Sequence, residues 1–223
     1  VIVAARNEAA RIGATVAALR SAFPQAALWV ADDASADGTA ELAMQAGAQV
    51  VSRGRPHGKG ANMTAACEAA LSSGVPPSVI LLCDGDLGDS AAGLVPLVAA
   101  VDAGECDLAV AAFARRRGGG FGAAVGFAGW AIHRLCEVET KAPISGQRAM
   151  RVEVLRRSLP FAPGFGMEIG LTVDAVRAGF AIKEHELDLQ HRETGRTLVG
   201  FLHRGRQLFD FLRVYISRRG PAD

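Results

Sequence analysis

Three short polar clusters carry residue types that can do chemistry: Arg6-Asn7-Glu8, Asp32-Asp33 and Asp84-Gly85-Asp86. Asp84 and Asp86 form the sharpest pair. Carboxylates at i and i+2 on an extended segment project to the same side, and Gly85 lets the backbone turn between them. Two hard oxygen ligands suit Mg2+ or Mn2+, ions that complete their shells with waters and substrate phosphates and can stabilise a departing diphosphate. A bare D-x-D also occurs as a solvated acidic turn; its place at the end of the apolar run Val79–Cys83 favours the metal reading. Asp33 can accept hydrogen bonds from a nucleoside base or a ribose, while Ser35 or Asp37 caps the helix that follows. Gly58-Lys59-Gly60 fails as a P-loop, because Gly54 to Gly58 is one residue short and Gly60 replaces Ser/Thr. It still presents Lys59 to a phosphate or base. Late in the chain, His191 ends an expected strand beside Arg192 and Arg196, a set suited to a phosphate or a metal–diphosphate.

These clusters act together only if the elements before them bring them to one edge. Apolar runs predict strands at Val1–Ala5, Ala27–Ala31, Gln49–Ser52, Val79–Cys83 and near Asp107–Phe113. Helical spacing predicts helices over 8–22, 37–46, 60–72 and 91–103. Such alternation predicts an α/β fold with a mostly parallel sheet and helices on both faces. Ligands then bind beyond the carboxyl ends of the strands, where all three clusters fall. After Phe113, Arg115–Gly120 is a charged, glycine-rich break. Beyond it the pattern predicts a helix over 122–139, a strand near 146–151, a helix over 167–178, a strand near 181–189 and a helix over 198–217.

The chain has 223 residues, half of them hydrophobic, and a net charge of +1, which describes a globular protein without the electrostatic footprint of a nucleic-acid binder. Its four cysteines are widely spaced with no C-x-x-C, which excludes a zinc knuckle and predicts reduced thiols in a cytoplasmic protein. The chain opens on an expected strand, not a secretory signal. The longest uncharged stretch, Gly118–Ile132, is too short and glycine-rich to span a bilayer. From Arg196 to Arg219, six arginines accompany one aspartate, Asp210, with apolar residues interleaved. A basic amphipathic helix of this kind lies on an anionic membrane, here the inner face, or packs on its own domain or on a second subunit as a homodimer.

In this order the motifs resemble nucleotide-sugar glycosyltransferases of the GT-A (half-Rossmann-like) fold, close to family 2. Ala4-Ala5-Arg6-Asn7-Glu8 is similar to their P-A-x-N-E, Asp32–Thr39 to D-D-x-S-x-D-x-T, Gly58-Lys59-Gly60 to G-K-G, and Asp84-Gly85-Asp86 to the metal-binding D-x-D. The stretch Leu159–Leu171, followed by His191-Arg192, resembles glucosyl-3-phosphoglycerate synthases. It departs from them at Gly120–Val125, which lacks their phosphoglycerate-gripping arginine and threonine, at Leu189, and at Ser145-Gly146-Gln147-Arg148.

The resemblance implies one domain in which residues 1–114 hold the nucleotide sugar, 115–197 form an acceptor-side half, and 198–223 add the amphipathic helix. It implies that Ala5, Glu8 and Asp33 hold the nucleoside with Lys59 nearby, and that Asp84, Asp86 and His191 bind Mg2+ or Mn2+. Arg192 or Arg196 would neutralise the diphosphate. Glu168 would be a general base in an inverting reaction or would position the acceptor in a retaining one. Arg117, Gln147 and Arg148 can meet an anionic acceptor, a small molecule or a polyprenyl phosphate. UDP-glucose is the donor favoured by the resemblance. A sugar-nucleotide pyrophosphorylase would need a glycine-rich loop after strand one, which Ala4–Glu8 lacks. A non-catalytic nucleotide-binding module would have little use for an intact D-x-D.

Overall fold

In the computed structural model, residues 1–74, 77–113, 122–189 and 198–220 are described. The order is β1 (Ile2–Ala5), α1 (Ile12–Ala22), β2 (Trp29–Asp32), α2 (Thr39–Gln45), β3 (Gln49–Ser52), α3 (Lys59–Leu71) and β4 (Val79–Asp84). There follow α4 (Val95–Asp102) after a 3-10 turn (Gly88–Leu94), β5 (Leu108–Phe113), α5 (Gly122–Cys136), β6 (Arg148–Arg151) and α6 (Val152–Ser158). A second 3-10 turn (Gly164–Gly166) leads into α7 (Met167–Arg177), and β7 (Ile182–Leu187) and α8 (Leu198–Ser217) complete the chain. The sheet runs β3-β2-β1-β4-β6-β5-β7. Its β1, β2, β3 and β4 pair in parallel, as do β5 and β7; β6 runs antiparallel between β4 and β5.

The middle of the sheet is buried on both faces, which is why its central strand β4 reads as an unbroken apolar run. Leu81 and Cys83 of β4 pack with Ile12, Val16 and Leu19 of α1 and Leu97 of α4. Ile80 and Leu82 face the other way, onto Met63 and Ala66 of α3, Leu155 of α6 and Leu171 of α7. A smaller cluster joins Ile132 of α5, Ile169 and Val173 of α7, and Phe211 and Val214 of α8. The four cysteines are free, and all but Cys136 are buried. No helix among the described residues is long and apolar enough to cross a membrane.

The differences from expectation have local causes. The first helix begins at Ile12, not at residue 8: Asn7 adopts the left-handed region (φ 54), and the Glu8 N–H donates to the Thr39 hydroxyl instead of entering a helix. The helix expected over 91–103 is a 3-10 turn followed by α4, with a proline in the first turn of α4. That over 122–139 stops at Cys136, and Glu137 turns the chain at φ 59. α6 was not expected, because it follows β6 directly, with Arg151 still extended, and no turn residue announces it.

Candidate active site

The D-x-D turn is built from behind. Asp84 ends β4, and the Gly85 N–H donates to Ala4 O of β1 (2.8 Å). A Cβ at Gly85 would stand 3.2 Å from that carbonyl and from the Ile12 side chain and 3.3 Å from Ala5, so a larger residue fits only if these neighbours shift by a few tenths of an ångström. Thr15 of α1, fully buried, donates its hydroxyl to Gly85 O (2.8 Å) and accepts from the Gly88 N–H (2.8 Å). Arg11 Nη1 donates to Asp86 O (3.0 Å).

In front of the turn sits Lys59, the first residue of α3. Its Nζ donates to Asp84 Oδ1 at 2.6 Å and pairs with Glu168 Oε1, in the first turn of α7, at 2.8 Å. Glu168 is 4 % exposed. Asp84 Oδ2 accepts from Gln147 Nε2 at 2.9 Å. Burial pushes the Lys59 ammonium toward neutrality, but the charges and hydrogen bonds of Asp84 and Glu168 outweigh it and hold its pKa above the usual lysine range. Gly146 walls this cluster: a Cβ there would stand 2.6 Å from Asp84 Oδ2 and 2.7 Å from Lys59 Nζ.

Asp33 delivers Lys59. Its Oδ1 accepts from the His57 N–H (2.7 Å) and its Oδ2 from the Gly58 N–H (3.1 Å), with Arg6 Nη1 at 3.7 Å. Gly58 precedes α3 at φ 83, a conformation that suits glycine. The loops after β1 and β2 clasp each other. The Asn7 N–H donates to Ser35 Oγ (2.9 Å), the Ala36 N–H to Asn7 Oδ1 (3.0 Å), and the Glu8 N–H to Thr39 Oγ1 (2.8 Å). Asp37 accepts from the Thr39 hydroxyl (2.5 Å) and the Ala9 N–H (3.1 Å); Gly38 precedes α2 and caps it without a side chain. The Thr39 hydroxyl is the main cause that holds the Asp37 carboxyl below its usual range.

Asp84, Lys59, Glu168 and Gln147 thus form one connected cluster, with Asp33 and the Ala5–Glu8 segment at neighbouring strand ends. Arg148 needs correction. It was expected to meet an acceptor, but it is 2 % exposed and its donors serve Ser145 O (2.8 Å), Thr172 Oγ1 (2.8 Å) and Pro143 O (3.4 Å). Burial lowers its guanidinium to about 10, against the opposing charges of Glu168 and Glu184. Arg148 pairs with Leu82 and Val110 in the sheet, both on the inward α3–α7 side. Gln147, also placed at the acceptor, is 1 % exposed and serves Asp84. Arg117, His191, Arg192 and Arg196 lie outside the described residues.

Sequence reading missed Thr15, Arg11 and Gly146. Thr15 and Arg11 precede or open an ordinary amphipathic helix and carry no motif. Gly146 stood in a stretch read for its neighbours. Among the described residues no group of three or more His, Cys, Asp or Glu side chains gathers as a metal cluster. Asp84 and Asp86 nevertheless fit a hard divalent ion: they are two carboxylates on one turn, and Asp84 already holds a cation at 2.6 Å.

The parallel half-sheet thus carries carboxylates at the ends of β2 and β4, on either side of β1. Residues 1–157 match the family model for glycosyl transferase family 2, and the chain belongs to that family. It is a glycosyltransferase of the GT-A fold. Among solved structures, it is similar to glucosyl-3-phosphoglycerate synthase from Mycobacterium tuberculosis in complex with Mn2+, uridine diphosphate and phosphoglyceric acid. That match has 28% identity and a TM-score of 0.79, and covers 100% of this chain and 78% of the other. The same enzyme with Mg2+ and uridine diphosphate gives 28% identity, a TM-score of 0.77 and coverage of 100% and 79%. A further mycobacterial protein gives 30% identity, a TM-score of 0.77 and coverage of 100% and 74%. A comparison with curated proteins finds no match.

Proposed function

We propose that the chain transfers a hexose from a UDP-sugar, UDP-glucose first, to an anionic acceptor, with Mg2+ or Mn2+ as cofactor. The observation that carries this reading is the Lys59 ammonium held between Asp84 of the D-x-D and Glu168 of α7. It joins the donor side, residues 1–114, to the acceptor side, residues 115–197, through one fixed charge. The similar synthase structures, which contain uridine diphosphate with Mn2+ or Mg2+, support the choice of base and metal.

On this reading Ala5, Glu8 and Asp33 line the nucleoside subsite. Asp33 has its carboxylate spent largely on the loop before α3, so its first task is to aim Lys59. Negative charge develops on the leaving diphosphate as the anomeric carbon becomes oxocarbenium-like. A lysine fixed at the D-x-D therefore stabilises the transition state more than the ground state. Asp84 and Asp86, with His191, would hold the divalent ion, which supplies Lewis-acid stabilisation of the leaving group when bound. Arg192 and Arg196 would add cationic side chains on the same side. Glu168 takes the acceptor proton in an inverting reaction or orients the hydroxyl in a retaining one. Arg117 would meet an acceptor phosphate or carboxylate, on a small molecule or a polyprenyl phosphate. The unpaired thiols fit a cytoplasmic enzyme.

The test is calorimetric titration of UDP, GDP and their common sugars with Mn2+ and then with EDTA, on wild type and Asp86→Ala. Metal-dependent binding of UDP, lost in the variant, is expected. Binding of no nucleotide under either condition would overturn the reading.

A further inference from the structure

The C-terminal helix α8 is held to the body by one face. Phe211 and Val214 are buried in the cluster with Ile132 and Ile169, Asp210 Oδ2 accepts from the Phe165 N–H (3.1 Å), and Arg218 grips Asp174 through two bonds of 2.7 and 2.5 Å. The opposite face is apolar and exposed: Leu208, Phe209 (65 %), Leu212 and Ile216 (61 %) recur at helical spacing. Trp130 of α5, half exposed, extends this stripe through its contact with Tyr215, ring centroids 5.0 Å apart.

At the C-terminal end of the stripe lies a cavity of about 330 Å3 lined by Arg134, Leu135, Arg177, Tyr215, Arg219 and Gly220. Arg177 is tied to the ends of both helices, donating to Leu135 O (3.2 Å) and Gly220 O (3.4 Å). Arg134 and Arg219 stand exposed at the cavity, and Arg213 stands exposed within the stripe between Phe209 and Ile216. α5 contains no acidic residue, and the one in α8, Asp210, is turned to the Phe165 N–H.

We propose that this face docks on an anionic lipid bilayer, with Phe209, Leu212, Ile216 and Trp130 entering the interface and the arginine-lined cavity receiving a lipid phosphate. Apolar side chains at helical spacing beside arginines, with an aromatic at the margin, are what an interfacial helix requires. A second copy fits less well, because docked through the same face it would bring no carboxylate from either helix to Arg134, Arg213 and Arg219: α5 has none, and Asp210 of α8 is turned to the Phe165 N–H. The proposal does not rest on the transfer chemistry.

The test is co-sedimentation of the full chain with phosphatidylcholine vesicles, with and without one quarter phosphatidylglycerol, at low salt and at 0.5 M salt. The tryptophan emission is followed in parallel on a Trp29→Phe background, where Trp130 is the one remaining tryptophan. Sedimentation only with the anionic vesicles, reversed by salt, with a blue shift, is expected. Arg134→Gln, Arg213→Gln and Arg219→Gln should each weaken binding roughly five-fold, as expected for one surface arginine. Phe209→Ser with Ile216→Ser should abolish the blue shift while circular dichroism shows the fold intact. No sedimentation, equal binding to neutral vesicles, or binding unchanged in these variants would overturn the proposal. So would a dimer in sedimentation velocity that the Phe209 and Ile216 substitutions dissociate.

Discussion

Lys59 pairs with two carboxylates at once, and Glu168 has almost no water to turn to, its side chain being 6 % exposed. Removing one partner of a buried ion pair leaves an uncompensated charge, at a cost of about 3 kcal/mol. Lys59→Met should therefore lower stability by about that amount in urea denaturation. Lys59→Met with Glu168→Gln should recover a substantial part, because the stranded charge goes too. A single variant as stable as wild type would contradict this placement of Glu168. The lysine's raised pKa means that its contribution is complete below the unfolded lysine value and is lost only as pH rises through the still higher folded value. The contribution is thus flat through neutral pH. Asp37 behaves oppositely: its lowered pKa adds stability above the unfolded value of 3.8 that is lost as pH falls through the folded one. Asp37→Asn should flatten the acid limb of the stability profile below about pH 4 and leave neutral turnover little changed. Gly146→Ala tests the site more sharply. The atoms its Cβ would meet are side-chain ends, so the fold can yield while Asp84 and Lys59 are displaced. An ångström of displacement at a reacting centre costs about 100-fold, so turnover should fall by about that factor with little change in Tm.

The elements place these side chains by a logic that is partly legible in sequence. Residues Ala5, Asp32 and Asp84 each end a short apolar strand, and neighbouring parallel strands β2, β1 and β4 set those ends side by side. The clustering of the three polar motifs therefore followed from the apolar runs that precede them. The inserted strand β6 did not announce its direction, since Arg148–Arg151 carries no signal for antiparallel pairing. Once that pairing is known, period two explains Arg148: it shares a face with Met150, and Met150 is core. Thr15 was illegible for another reason. Its hydroxyl works across 70 residues of chain, on Gly85 O, from a helix position that reads only as buried and apolar. Thr15→Val keeps the shape and removes the bridge to Gly85 O and the Gly88 N–H. A buried carbonyl such as Gly85 O left without its donor costs about 1–3 kcal/mol. The variant should lose that much stability and should also weaken Mn2+ binding measured by calorimetry, since the D-x-D turn loses its backing. Lost stability with unchanged metal affinity would confine Thr15 to packing.

Over the whole molecule, the donor site we propose draws on the first half of the sheet and on a helix from the second, because Lys59 of α3 reaches Glu168 of α7. A ligand that fills such a site binds the folded chain and not the unfolded one, so it must stabilise the entire domain by mass action. UDP with Mn2+ at about 100 times its Kd should add roughly 2.7 kcal/mol, which for a chain of this size raises Tm by roughly 5–10 °C. EDTA should cancel the shift, and Asp86→Ala should show none. Because Lys59 bridges the halves, Lys59→Met should lose most of the shift at the same UDP and Mn2+ concentrations, since its Kd rises, which a lysine serving only as a fold strut would not do. A shift with UDP that ignores EDTA would place the nucleotide on the chain without a metal. It would leave Asp84 and Asp86 to structural work alone, and the cation at the D-x-D would then be Lys59 itself.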